Sequence, residues 1–194
     1  MRSSGRPRST QTTENAIEEA LKILREEGVG SLSMERVAAN IGVSKPSLYR
    51  RWKDRGELIM DALQRVVEIG DCPDTGNLAE DLYLYGRQSL ENESRATSGA
   101  DSNSLMRTVL SPEIAPLYFE RIGQHRRKNG LLIVQRAVAR GELPVDVNAS
   151  LLLDMLSGTV FFHAYMQRLA LQDSELRQIV RTICATPPVL TDQD

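Results

Sequence analysis

Residues 33–55 read SMERVAANIGVSKPSLYRRWKDR, two short amphipathic helices joined by a tight turn. Ser33 is placed to accept a hydrogen bond from an orphan amide of the first helix, and Leu32 and Val37 are spaced as a hydrophobic staple across its start. Val37, Ala38 and Ile41 share one face, on which the small Ala38 lets a second helix cross closely. Gly42 stands where the chain must reverse and takes a positive φ cheaply. Ser44 is expected to cap the second helix and Val43 and Leu48 to staple it, while Pro46 in its first turn gives up no amide bond that the helix uses. Leu48 and Trp52, four apart, point inward, leaving Lys45, Ser47, Tyr49, Arg50 and Arg51 outside.

Charge sharpens this pattern. Residues 33–55 hold six cations (Arg36, Lys45, Arg50, Arg51, Lys53, Arg55) against two acids, Glu35 and Asp54. Residues 1–60 carry 11 Lys and Arg against 8 Asp and Glu, whereas residues 61–194 carry 13 against 18. A cation-rich outer helix at one end of an otherwise acidic chain, behind a capped helix and a glycine turn, is the composition of a helix-turn-helix that reads duplex DNA.

The run from Thr12 to Leu63, centred on GVSKPSLYRRW, resembles the N-terminal DNA-binding domain of the TetR family of bacterial transcriptional regulators. The likeness takes in the preceding helix, the GVS turn, the Leu48-Tyr49 pair, Trp52 and an acid-initiated helix after it. The remainder is similar to the family's helical regulatory domain in layout, with the ARGEL segment around Arg140 seen in one branch. Arg55 stands where many members have lysine, which keeps the charge and alters its geometry. The resemblance implies an all-α chain of about nine helices and a ligand-responsive repressor that binds a palindromic operator as a homodimer. Repression over activation rests on the likeness alone.

At 194 residues the chain is long enough for a small domain and a larger one. Cys72 and Cys184 are too few for a disulfide scaffold, and the polar, basic N-terminus is unlike a signal peptide, so a reducing cytoplasm is the expected location. The most apolar run, Leu151 to Met166, contains Asp154 and falls short of the ~20 residues that cross a bilayer, so no membrane association is expected.

The expected organisation is a flexible basic arm over 1–10, a DNA-binding domain with a connecting helix over 11–70, a regulatory and dimerisation domain over 71–186 and a loose tail over 187–194. In the first domain Ile17, Ala20, Leu21 and Leu24 mark helix 1, and Asp54 with Glu57 caps helix 4, read as running to Gly70. Beyond the breaker-rich Gly70–Gly76, Asn77 and Glu80 cap helix 5, Glu91 to Ser104 reads mostly as loop, and Leu105 to Leu110 is a short helix. Ser111-Pro112 opens a long helix towards Arg140 in which Gly123 and Gly130 mark possible breaks; the last two helices cover about Ala149 to Leu169 and start at Asp173.

Lys45, Pro46, Ser47 and Arg50 are the expected base readers, with Ser33, Ser44, Tyr49, Arg51, Lys53 and Arg55 on phosphates. The helix over about Ala149 to Leu169 is apolar nearly all round, which calls for a second surface. The family resemblance implies that it pairs with its symmetry mate together with the helix from Asp173, so Leu152, Leu156, Val160, Ile179 and Ile183 are expected at a dimer interface. Tyr83, Tyr85, Met106, Tyr118, Phe119, Phe162, His163 and Met166 are the candidates for a pocket holding a small apolar effector. No cofactor, metal or catalytic residue is expected: the chain lacks a phosphate loop, HExxH, CxxC and GxSxG, and His125 and His163 sit on different helices without an orienting carboxylate. The alternative, a helical protein-interaction adaptor, leaves the cation-rich segment unexplained.

Overall fold

The computed structural model describes residues 8–97, 104–167 and 171–190. Ten α-helical segments cover most of them: α1 (Arg8–Glu26), α2 (Met34–Asn40), α3 (Lys45–Tyr49), α4 (Arg55–Leu63), α5 (Leu78–Thr97), α6 (Ser104–Val109), α7 (Ala115–Tyr118), α8 (Gln124–Ala139), α9 (Ala149–Phe161) and α10 (Asp173–Ala185). The chain is all-α, as its periodicity implies. By contacts it forms two compact units, one of residues up to 67 with 95–119, the other of 68–94 with 120 onward. Residues 95–97 and 104–119, assigned from sequence to the regulatory domain, thus cluster with α1 to α4.

In the first unit, α1 buries Ala16, Ile17, Ala20, Ile23 and Leu24 against α4, whose Leu58, Ile59, Met60 and Leu63 are enclosed. The arm foreseen over 1–10 is shorter, because Arg8, Ser9 and Thr10 already belong to α1 and no Gly or Pro interrupts the chain before Glu26; Arg2 and Arg6 lie outside the described residues. The connecting helix is shorter too. It ends at Leu63, where Arg65 N–H to Ala62 and Val66 N–H to Leu63 replace the helical bonds by tighter i to i+3 ones, and not at Gly70. α6 docks on α1 through the buried Ser104, whose hydroxyl donates to the Leu24 carbonyl.

In the second unit, α5, α8, α9 and α10 enclose Leu82, Tyr85, Ile133, Ala137, Leu152, Leu156, Leu176 and Val180. α5 continues to Thr97 where a loop was foreseen from Glu91: polarity does not end a helix without a breaker, and Arg87 and Glu91 pair across one turn at 3.1 Å. Ser111-Pro112 lies in a turn, so the helix expected there starts at Ala115, and Phe119–Gly123 form a π-helical stretch that carries the irregularity anticipated at Gly123. Gly130 marks no break. It is buried where a Cβ would come within 2.7 Å of Leu153 Cδ2, so glycine lets α8 and α9 approach. Asn148 caps α9 through the Leu151 amide at 3.0 Å, and α9 gives way at Phe162 to a second π-helical stretch, Phe162–Gln167; residues 168–170 lie outside the description.

Two expectations fail in this unit. Leu152, Leu156, Val160 and Ile183, foreseen at a dimer interface, fill the unit's own core, and of the five only Ile179 is partly exposed. Among the described residues, the large apolar side chains that α9 and its continuation leave in solvent are Leu151, Met155, Phe161, Phe162 and Met166. The segment after Pro187 is not loose as far as it is described: Val147 and Val189 form an antiparallel bridge, the Asn148 amide donates to Pro188 at 2.8 Å and the Leu190 amide to Asp146 at 2.8 Å.

Candidate nucleic-acid interface

Local sequence places the outward face of α3. Ser33 is extended, and its Oγ accepts the Arg36 amide at 3.1 Å, fixing the start of α2. Gly42 takes φ 69, and the Val43 amide returns to the Ala38 carbonyl at 2.9 Å, reversing the chain within two residues. Leu48 and Trp52 are buried, and the Trp52 indole donates to Asp61 at 2.7 Å, so α3 is held from beneath and Ser44, Lys45, Pro46, Tyr49 and Arg50 stay exposed. Ser44 caps differently from the expectation. Its hydroxyl shares a hydrogen bond of 3.0 Å with the Ser47 hydroxyl, and its carbonyl, not its side chain, takes the Ser47 amide.

The cations of the segment do not all stand free. Arg36 forks onto Glu27 at 2.8 and 2.5 Å and also reaches the Ser31 carbonyl. The Lys45 ammonium pairs with the Glu35 carboxylate of α2. Arg51 donates from Nε to Thr13 at 2.8 Å and from Nη1 to the Ser47 carbonyl at 2.7 Å, tying α3 to α1. Arg55 forks onto Glu113 and also reaches the Leu32 carbonyl. Two of the carboxylate pairings move titration in the sense of their hydrogen bonds: Lys45 holds Glu35 below the ordinary glutamate value and Glu35 raises Lys45, while Arg55 lowers Glu113 and Glu113 raises Arg55. The exposed Arg50 guanidinium donates from Nη2 to Ser47 Oγ at 3.1 Å, and Lys53 is exposed.

Of the residues read from sequence, Ser44, Lys45, Pro46, Ser47, Tyr49 and Arg50 therefore share one surface around α3, with Ser33 at the start of α2 and Lys53 just beyond α3. Arg51 and Arg55, expected on phosphates, make hydrogen bonds within the unit. Sequence missed their partners: Thr13 and Glu113 lie 38 and 58 residues away, and nothing local links them to α3 or α4.

The residues foreseen at an effector pocket fall in different settings. Tyr83 is buried with its hydroxyl on Asp173 and Arg177 3.5 Å above its ring, and Tyr85 is buried beneath Arg126 at 4.2 Å. Met106, Tyr118 and Phe119 belong to the first unit, and Phe162 and Met166 are exposed. His163 alone of the set borders a groove of about 410 Å³, which Met155, Thr159, Gln178 and Ile179 also line. No helix among the described residues is long and apolar enough to cross a membrane.

Comparison with known proteins fits this geometry. The family described as "Bacterial regulatory proteins, tetR family" matches residues 16–62, and "Tetracyclin repressor-like, C-terminal domain" matches residues 72–183. The DNA-binding transcriptional repressor TetR of Mycobacteroides abscessus is 33% identical over 142 residues, 70% of this chain and 73% of its own. The regulator YdeS of Bacillus subtilis is 24% identical over 181 residues, covering 91% and 89%. In fold, the crystal structure of MexZ, a repressor from Pseudomonas aeruginosa, superposes with a TM-score of 0.58 at 24% identity over 91% of this chain and 92% of that one. With its capped α2, its glycine turn and the exposed face of α3 in the matched region, the chain belongs to the TetR family and is a DNA-binding transcriptional regulator, not an enzyme.

Proposed function

We propose that the protein is a cytoplasmic repressor that binds a palindromic operator as a homodimer, with α3 in the major groove. The outward row of exposed Lys45, Pro46 and Arg50, with the half-buried Ser47 among them, carries the reading: these side chains stand at the start and outer face of a helix anchored from beneath by Leu48 and Trp52. Ser33, Ser44, Tyr49 and Lys53 flank the row and face phosphates. Arg51 and Arg55 act from behind, fixing α3 and α4. Repression is supported by the relative named a repressor.

The dimer surface is the solvent face of α9 and its continuation. Leu151, Met155, Phe162 and Met166 recur at helical spacing with Gly158 among them, and nothing lies within 4 Å of where a Gly158 Cβ would stand, so a partner helix can come close. Response to a small apolar effector is proposed from membership of the family, and the groove bordered by His163 is the candidate place for it.

Selection of duplexes from a random pool, followed by fluorescence anisotropy over a salt series, tests the reading. The recovered site should be a palindrome with half-sites about 34–36 Å apart or a multiple of that, and log affinity should fall linearly with log salt. Absence of salt-sensitive duplex binding by the intact protein overturns it.

A further inference from the structure

We infer that Glu35 is a specificity-determining residue: by holding Lys45 it keeps that ammonium from non-specific phosphate contact and releases it only where the correct sequence offers a better partner. This deepens the DNA-reading role proposed above and rests on it.

Lys45 opens α3, the position from which a recognition helix reaches base edges, and Glu35 lies in the first turn of α2. Their charged ends meet in the free protein, with 47% and 56% of the respective side chains exposed, so the pair sits on the surface that faces DNA and not beneath it. In water such a pair contributes little to stability, so the fold does not depend on it. Against a polyanion the balance changes. A duplex that draws Lys45 onto a phosphate leaves the Glu35 carboxylate unpaired beside the backbone, and like-charge repulsion offsets the new contact. A base edge that satisfies Lys45 by a directed hydrogen bond compensates the loss, whereas a phosphate met at random does not. Arg36 and Arg55 are likewise engaged by carboxylates, but Lys45 is the cation of this kind that stands on the reading helix itself.

The test measures wild type, Glu35→Gln, Lys45→Gln and the double variant against the selected duplex and a scrambled duplex of the same composition, over a salt series. Glu35→Gln should steepen the salt slope on the scrambled duplex by about 0.9, the value for one more neutralised phosphate, and lower the ratio of specific to non-specific affinity several-fold. Lys45→Gln alone should leave the scrambled-duplex slope unchanged, and in the Glu35→Gln background it should abolish the added unit. Glu18→Gln, on the exposed side of α1, removes the same charge and should change neither quantity. Thermal unfolding of each variant checks the fold, and Glu35→Ala repeats the experiment should the Gln variant melt early. If wild type binds with salt dependence while Glu35→Gln matches wild type or Glu18→Gln, the inference is overturned and the DNA reading stands. If wild type binds no duplex, the reading itself falls.

Discussion

The α2–α3 hairpin and helix α9 are both short, but they carry sequence information of different kinds. In the hairpin each signal acts over four residues or fewer: Ser33 on the Arg36 amide, Gly42 on the reversal, Leu48 and Trp52 on one buried face. The outward face follows once the inward one is known. In α9 the apolar residues cover both faces, so periodicity announces a helix without saying which side meets its own unit. Leu156, chosen from sequence for the interface, is fully buried, while its neighbour Met155 is 41% exposed. Where local chemistry supplies direction, function can be read from sequence; where burial alone supplies it, the competing surfaces must be seen.

The sharpest way to break this comparison is to substitute adjacent residues of α9. Leu156→Ala should cost about 2–5 kcal/mol in denaturant unfolding, because it opens a cavity in the core of the second unit. Met155→Glu should leave the secondary structure intact and instead release monomers in sedimentation experiments. Equal loss of folding in both variants would erase the distinction between the two faces.

In the hairpin the contrast is between Arg50 and Arg51. Arg50→Ala should weaken operator binding by about 1–3 kcal/mol and relax preference at one base pair, with unfolding unchanged. Arg51→Ala breaks the ties to Thr13 and the Ser47 carbonyl, so it should lower stability and reduce affinity for all sequences alike. Ser33→Ala removes the α2 cap and should cost about 1 kcal/mol, read as a shift of the urea midpoint.

The smallest effect belongs to Glu113, whose pair with Arg55 is largely solvated and amounts to about 0.2–1 kcal/mol. Arg55 holds the Glu113 carboxyl below the ordinary 4.5, so this stabilisation is complete above that value and is lost as pH falls through the lowered one. Glu113→Gln should therefore flatten the acid side of the stability profile and leave its alkaline side unchanged in shape.

The same distinction explains which parts of the molecule were legible. The helical class, the turn at Gly42, the caps at Ser33, Asp54 and Asn77, and the outward row on α3 all arise from neighbours in sequence or from one helical period. Helix ends without a Gly or Pro were harder: α5 outlasts its apolar stripe, and α4 stops at Leu63, before the exposed Gln64 and Arg65, where the sequence carries no breaker. The pairings of Arg51 and Arg55 were not legible, since a guanidinium reaches any carboxylate or hydroxyl the fold brings near. Nor was the scattering of the aromatic residues, because bulky side chains suit a core and a pocket equally well.

The bridge between Val147 and Val189 has a consequence for how this chain breathes. Asn148, which caps α9 with its side chain, also donates its own amide to Pro188, so the start of α9 and the segment after α10 are fastened at one residue. The amides of Asn148 and Leu190 should consequently exchange slowly with heavy water, outlasting those of other residues outside the helices. Ending the chain at Ala185 should expose the 141–148 connection to proteases while leaving the α2–α3 hairpin as resistant as before.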